Sequence, residues 1–277
     1  MSALGSRTPE EARALRDDAR SLMQAIGPQH SAANARRYKW VTHIGEPSEN
    51  MLGMRVDPQP FEGKVVYAAS PWAVLKTGRS DFALVHEDLL PVLPDMGATV
   101  RIEPYARRNF DGTRIDAPKV ETHTRADGTP YQTKTLVIGA NHTPLPIEKP
   151  ANEYLRDLVE LVERGKAPDG LRTIAQMLVD AKARDFITMD PDDEQVFSMP
   201  PSIRFEVETT KFAGEVEIAY EKGADYYRLR IGDEQIDDVD FESVAPILFE
   251  RIDDGQWRQA KVEILKPAPR ASRRMAA

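Results

Sequence analysis

Between residues 203 and 231, apolar and charged side chains alternate through three successive runs. Ile203, Phe205 and Val207 interleave with Arg204, Glu206 and Glu208. Val216, Ile218 and Tyr220 interleave with Glu215, Glu217 and Glu221, and Tyr227, Leu229 and Ile231 with Arg228 and Arg230. Successive strand residues point to opposite faces, so a period of two predicts a sheet with one dry face and one charged face. Lys222-Gly223-Ala224 turns the chain between the second and third runs, which makes the unit an antiparallel meander. On the wet face, glutamates of one arm stand opposite Arg228 and Arg230, each pair adding about 0.2–1 kcal/mol. The dry face needs a cover. Val244, Ile247, Leu248 and Ile252 supply a helical stripe, and Ser243 is the expected cap because it puts Pro246 in the first turn, where a missing N–H costs nothing. Gly255 ends that helix, and Trp257 to Leu265 is expected to return as a last strand of the same sheet. The order predicted for residues 198–266 is therefore β-β-β-α-β, an α+β layer of helix on sheet.

Upstream the period changes. Asn152 can cap a helix carrying Leu155, Leu158, Val159 and Val162, stopped at Gly165. Asp169 can cap a second with Leu171, Ile174, Ala175, Leu178 and Val179. The short gap predicts an antiparallel helical hairpin over 151–197, ending in an acidic loop at Met189–Asp193. Asn141 to Pro150, with three prolines in ten residues, reads as a linker.

The first 140 residues have a different character. Thr8-Pro9-Glu10-Glu11 is a helix start with a capping box, and Leu15, Ala19, Leu22 and Ile26 give one apolar stripe, ended at Gly27-Pro28. That stripe must dock, on a neighbouring sheet or on a partner. Residues 28–60 read as irregular, so the N-terminal segment is 1–60. From Gly63, short apolar runs (Val65–Tyr67, Trp72–Leu75, Phe82–Val85, Val100 and Ile102) alternate with turn residues. They predict a small curved β-sheet or barrel over 61–140. Lys119–Arg125 and Pro130–Gly139 flank Ala126-Asp127-Gly128 and read as an exposed β-ribbon.

Composition limits the chemistry. There is no cysteine, so disulfides, thiolate metal sites and thiol nucleophiles are excluded. None of the five histidines lies at the i,i+4 spacing of a helical metal pair, and no phosphate-loop, dinucleotide or nucleophile-elbow motif occurs. No catalytic residue, metal ligand or cofactor is expected. His86-Glu87-Asp88 is read as a turn or cap, the alternative being a general acid or base. No apolar run approaches the ~20 residues that span a bilayer, and the N-terminus has no signal-peptide core. The expected location is the cytoplasm, without membrane contact.

Net charge is uneven: residues 1–150 balance at +1 and residues 151–277 at −9. A molecule-wide field for DNA is therefore not expected, although local patches remain. Arg36, Arg37, Tyr38, Lys39 and Trp40 alternate bases with aromatics, the pattern that contacts a phosphate backbone and stacks on a base. The alternative puts Tyr38 and Trp40 in the core with the bases solvated. Arg101, Arg107, Arg108 and Arg114 form a second basic group, nearly cancelled by neighbouring acids. Lys266, Arg270, Arg273 and Arg274 mark a basic tail over 267–277, which has the composition of a disordered arm.

Gly63 opening a Val-Val-Tyr strand, the apolar turn through His86, and Gly97-x-x-Val100-x-Ile102-x-x-Tyr105 resemble the KfrB-type domain of conjugative plasmids and integrative elements. "APDGLRTIAQMLVDAKARDF" and "IDDGQWRQAKVEIL" are similar to segments of uncharacterised proteins of the same elements. The resemblance implies plasmid maintenance, transfer or counter-defence, and carries no catalytic residue. The expected function is a non-enzymatic accessory protein that binds protein partners of the element or its host. The alternative is a nucleic-acid-binding factor using the patches above.

Overall fold

A computed structural model describes residues 7–32, 37–46, 48–135 and 141–269. The chain is α+β and divides into two compact units. The first comprises Met1–Ser48, Asp57–Ala106 and Gln256–Ala277, the second Glu49–Val56 and Arg107–Gly255. Among the described residues no helix is long and apolar enough to cross a membrane.

The first unit is built on a six-stranded sheet. Its order is β1 (Lys39–His43), β6 (Asp81–His86), β5 (Trp72–Lys76), β4 (Phe61–Ala69), β7 (Thr99–Glu103) and β15 (Lys261–Lys266). β1 runs parallel to β6 and the other pairs are antiparallel. The sheet is open, with β1 and β15 as edges, so the barrel alternative is not what forms. Its central strands are apolar on both faces because both are covered. Trp72 and Val74 of β5 pack with Phe82 and Leu84 against Ala12, Ala19 and Met23 of α1 (Pro9–His30). Ala73 and Leu75 pack with Val65, Val85, Val100 and Ile102 on the other side. The stripe on α1 thus docks on its own sheet. Thr8 and Glu11 form the expected capping box, the Thr8 N–H donating to Glu11 at 2.8 Å and the Glu11 N–H to Thr8 Oγ1 at 3.2 Å.

Gly27-Pro28 does not end this helix, which runs on to His30. In the last turn a proline removes one bond rather than a ladder, and the chain is closed at Ser31, whose N–H and hydroxyl both donate to the Gly27 carbonyl. Gly27 serves a different purpose. A Cβ there would lie 2.6 Å from the Tyr38 ring, so glycine permits the ring to lie against the helix.

The second unit carries a five-stranded antiparallel sheet in the order β10 (Arg184–Met189), β11 (Ser202–Glu208), β12 (Ala213–Glu221), β13 (Tyr226–Ile231) and β14 (Glu234–Val239). The dry face is the one expected: Ile203, Phe205, Val207, Val216, Ile218, Leu229 and Ile231 are buried. It is covered by α4 (Val244–Ile252) and also by α2 (Glu153–Arg164) and α3 (Ile174–Asp180), whose Leu155, Leu158, Ile174 and Leu178 share the same core. The helical pair is thus part of the meander's core rather than a separate layer. On the wet face Arg230 reaches Glu215 at 2.9 Å and Glu217 at 3.0 Å, and Arg228 reaches Glu221 at 2.5 Å.

Three local expectations are corrected. Trp257 to Leu265 does not join the meander. β15 pairs with β7 in the first unit, Val262 opposite Ile102 and Lys261 opposite Glu103. Alternation defines a strand's faces but not its partner, and the edge of the second sheet is already occupied by β10, a strand read from sequence as helix end and loop. The cap of α3 is Thr173, not Asp169: Thr173 and Gln176 form a capping box, while Asp169 accepts from the N–H groups of Leu171 and Arg172. Ser243 does head α4, but its hydroxyl donates to Asp240 at 2.9 Å instead of capping.

Smaller elements complete the chain. β2 (Ser48–Glu49) pairs with β3 (Arg55–Val56), and β8 (Lys119–Thr124) with β9 (Pro130–Thr135). The latter is the expected ribbon, turned at Ala126-Asp127-Gly128 by bonds between Arg125 and Thr129 and from the Gly128 N–H to the Arg125 carbonyl.

Candidate functional site

Among the described residues of the first unit, the basic residues singled out from sequence are spread across the sheet rather than gathered on one patch. Arg36, Arg270, Arg273 and Arg274 lie outside the described residues. Arg37, Lys39 and Trp40 are exposed at the edge strand β1, with Tyr38 half-buried behind them, 5.6 Å from Trp40 and edge-on to Phe82 at 6.3 Å. The patch is therefore divided: Tyr38 enters the α1 cluster and the others face water. Arg101 is exposed on β7, four strands across the sheet, roughly 19 Å at ordinary strand spacing. Lys266 ends β15 opposite Thr99, so the tail does not begin as a free arm there.

Arg107, Arg108 and Arg114 belong to the second unit, where Arg108 and Arg114 are used locally. Arg107 is only 4% exposed. Arg108 donates to the Gly112 carbonyl at 2.7 Å, and Arg114 forks onto both oxygens of Asp116 at 2.8 Å. That fork holds the Asp116 carboxyl below the usual carboxylate range. These guanidiniums brace a loop.

His86 stands where the cap reading places it. It caps the single turn at Glu87–Leu89, its Nδ1 accepting from the Asp88 N–H at 3.3 Å, and its ring meets Trp72 edge-on at 5.2 Å. Arg7 lies 3.3 Å from the same nitrogen and pairs with Asp88 at 2.8 Å. Burial, and then Arg7, push the imidazole below its ordinary pKa in spite of Asp88, Glu87 and Asp18. A neutral ring fixed from two sides is an anchor.

A concavity lies in the second unit, at the β12–β13 turn. It has a volume of about 320 Å³ and is lined by Val196, Phe197, Glu221, Lys222, Tyr226, Arg228, Asp237 and Asp238, together with Gly223 and Ala224 of the turn. That size lies at the lower end of the range for small-ligand pockets. Its frame is rigid. Tyr154 of α2 stacks on Tyr220 of β12 with centroids 5.4 Å apart, and Tyr220 abuts Tyr227 at 5.6 Å. The Tyr220 hydroxyl donates to Asp225 at 2.6 Å, and that bond, with burial, pushes the phenol's pKa upward. The turn is closed by bonds from the Ala224 and Asp225 N–H groups to the Glu221 carbonyl, with Asp225 at φ +59°.

Within this frame the charges are arranged unequally. Arg228 is matched by Glu221. The Lys222 ammonium stands 4.4 Å from the centre of the Tyr154 ring and 5.2 Å from that of Phe197, held by two ring faces. Among the described residues Asp237 accepts only from the neutral Gln235 amide, at 3.0 and 3.2 Å. The Asp238 carboxylate has no hydrogen bond or ion pair with any described residue. Both aspartates sit on a β-bulge. Tyr227 pairs with Val239 and Leu229 with Ile236, so two residues of β14 oppose Arg228 alone, and Asp238 takes φ +54°. Phe197 and Tyr226 stay 68% and 42% exposed beside them.

Sequence reasoning located the turn at Lys222-Gly223-Ala224 but not this site. Asp237 and Asp238 are plausible neighbours of a helix start, and only the bulge turns them towards the strand end. An Asp-Asp pair interrupting the alternation Gln235–Val239 was the available signal, since aspartate tolerates a left-handed backbone. Compared with protein-family models, with curated proteins and with solved structures, the chain matches none.

Proposed function

We propose that the protein is a non-enzymatic accessory factor that works by binding other proteins, and that the β12–β13 pocket is where a partner docks. The observation that carries this reading is the pairing of exposed aromatic faces, Phe197 and Tyr226, with two under-partnered carboxylates on a rigid strand end. Aromatic surface ringed by polar groups is the composition of interface centres. The excess of acidic residues after residue 150 favours a protein over a polyphosphate. In keeping with the KfrB-type resemblance of residues 63–105, the role proposed is in maintenance, transfer or counter-defence of a mobile genetic element, in the cytoplasm of its host.

A second reading has one observation in its favour: Arg37, Lys39 and Trp40 are each exposed at the sheet edge, residue types suited to a single strand of nucleic acid. One comparison separates the two. Affinity capture from cells carrying the parent element is run with the wild type and with Phe197→Ala/Tyr226→Ala, and binding of labelled duplex and single-stranded DNA is measured at 50 and 200 mM salt. Protein docking at the pocket is expected to give an identified partner that the double variant loses, with little retention on DNA. A partner retained by the variant would remove the pocket from the account. Tight DNA binding that collapses with salt and is abolished by Lys39→Ala/Trp40→Ala would favour the second reading.

A further inference from the structure

The pocket's own chemistry indicates what part of a partner it takes. It holds two cations of its own by two different means. Arg228 is matched by a carboxylate, Glu221, at 2.5 Å. Lys222 is matched by ring faces, those of Tyr154 and Phe197. Beside them stand two aspartates without an ion pair among the described residues and a second ring, Tyr226. Among the described residues Asp238 is without a partner and Asp237 bonds only to a neutral amide, while Tyr226 is partly exposed and Phe197, which Lys222 meets, is largely so. Counted as charges, Glu221 cancels Arg228 and Lys222 cancels one aspartate, leaving the pocket with an excess of one negative charge. A phosphate or carboxylate ligand would meet that excess unfavourably, and a purely apolar ligand would strand the aspartates without a counter-ion.

We propose that the site receives an arginine side chain of the partner protein, its guanidinium forking onto Asp237 and Asp238 and its plane lying on Phe197 or Tyr226. This rests on the reading of the pocket as a docking site. Guanidinium is the group that satisfies both halves at once, because it is planar enough to stack on a ring and presents paired N–H donors to carboxylates. The β-bulge is what makes the site available. In regular pairing Arg228 would face one residue of β14. Here it faces two, and their carboxylates exceed what one arginine, already held by Glu221, can neutralise.

The test uses the full isotope-labelled chain and two blocked tripeptides, Ac-Gly-Arg-Gly-NH2 and the same peptide with citrulline, which keeps the shape and loses the charge. The arginine peptide is expected to give saturable amide shifts confined to residues 196–197, 221–228 and 237–238, and the citrulline peptide to bind at least five-fold more weakly. Asp238→Asn, which tolerates the same left-handed backbone, is expected to weaken arginine binding three-fold or more. Asp192→Asn, an exposed acid elsewhere in the unit, should leave it unchanged. Equal binding of the two peptides, shifts scattered over all acidic surfaces, or an Asp238→Asn variant that binds like the wild type would each overturn the proposal. If the arginine peptide fails while a captured partner still depends on Phe197 and Tyr226, the pocket stands as a docking site and only the arginine assignment falls. If both fail, the docking reading falls with it.

Discussion

Arg172 ties three carboxylates together in the second unit. It is fully buried, donating to Asp169 at 2.8 Å, to Asp180 at 2.8 Å and to Asp253. It ties the loop before α3 to the ends of α3 and α4. Methionine would fill the space but leave three carboxylates around an apolar tip. Removing one partner of a buried ionic group costs about 3–5 kcal/mol, so Arg172→Met is expected to lower the denaturation midpoint of the second unit by that equivalent. A loss under 1 kcal/mol in denaturant titration would show the aspartates to be solvated. In the first unit His43 stacks on Phe61 with centroids 4.8 Å apart, and burial pushes its pKa down to about 4. The folded value lies below the ordinary 6.5, so the neutral ring's contribution is complete above pH 6.5 and is lost as pH falls from 6.5 towards 4. His43→Phe keeps the stack and removes the titration. The gap between its thermal midpoints at pH 7 and pH 5 should be narrower than in the wild type. An unchanged gap would place the acid sensitivity at another group, His86 first, since burial depresses that ring too.

At the scale of elements, β15 decides between two topologies. If the chain is cut after Gly255, the edge of β7 is uncovered and Ala260 leaves the cluster of Val65, Val100 and Ile102. Hydrogen-exchange protection of Val100 and Ile102 is expected to fall while that of Ile203–Val207 persists. The opposite pattern would put the last strand back on the meander. Which features sequence made readable follows from their range. Caps and tight turns are local, and Thr8 with Glu11, Asn152, and Asp127-Gly128 each appear where their chemistry indicates. The dry face of β11–β13 was legible because a period of two admits one assignment of faces. β10 was not, since Arg184–Met189 follows a helix closely and has only Phe186 and Thr188 partly shielded. The partner of β15 was not, because its pairing with β7 spans some 160 residues and no local rule names it. The pocket was illegible for a related reason: it depends on a bulge and on Phe197, an exposed aromatic that periodicity assigns to nothing.

At the scale of the whole chain, the larger segment of the second unit, Arg107–Gly255, is inserted into the first. The chain leaves the six-stranded sheet at the end of β7 and re-enters it at β15. The two points of departure are neighbours, Glu103 pairing with Lys261 and Tyr105 meeting Trp257 at a ring separation of 4.6 Å. Strands so joined need only a short turn between them. Replacing residues 107–255 with Asn-Gly would join β7 to β15 through a ten-residue connection that keeps the same aromatic pair. The expected result is a chain that keeps its sheet signature by circular dichroism and unfolds in one cooperative transition, because the clusters built on α1 and on Val65, Val100 and Ile102 stay within the first unit. Residues 107–255 alone should likewise unfold cooperatively, their core being formed by α2, α3, α4 and the five-stranded sheet. The thread that tests this division is Glu49–Val56, whose Arg55 donates to the Leu171 carbonyl and which the chain contributes to the second unit from between β1 and β4. If the excised 107–255 unit melts only a few degrees lower than it does in the whole chain, that thread is an accessory. If it fails to fold until a peptide of residues 49–56 is supplied, the two units are laced together during folding and the insertion is not autonomous.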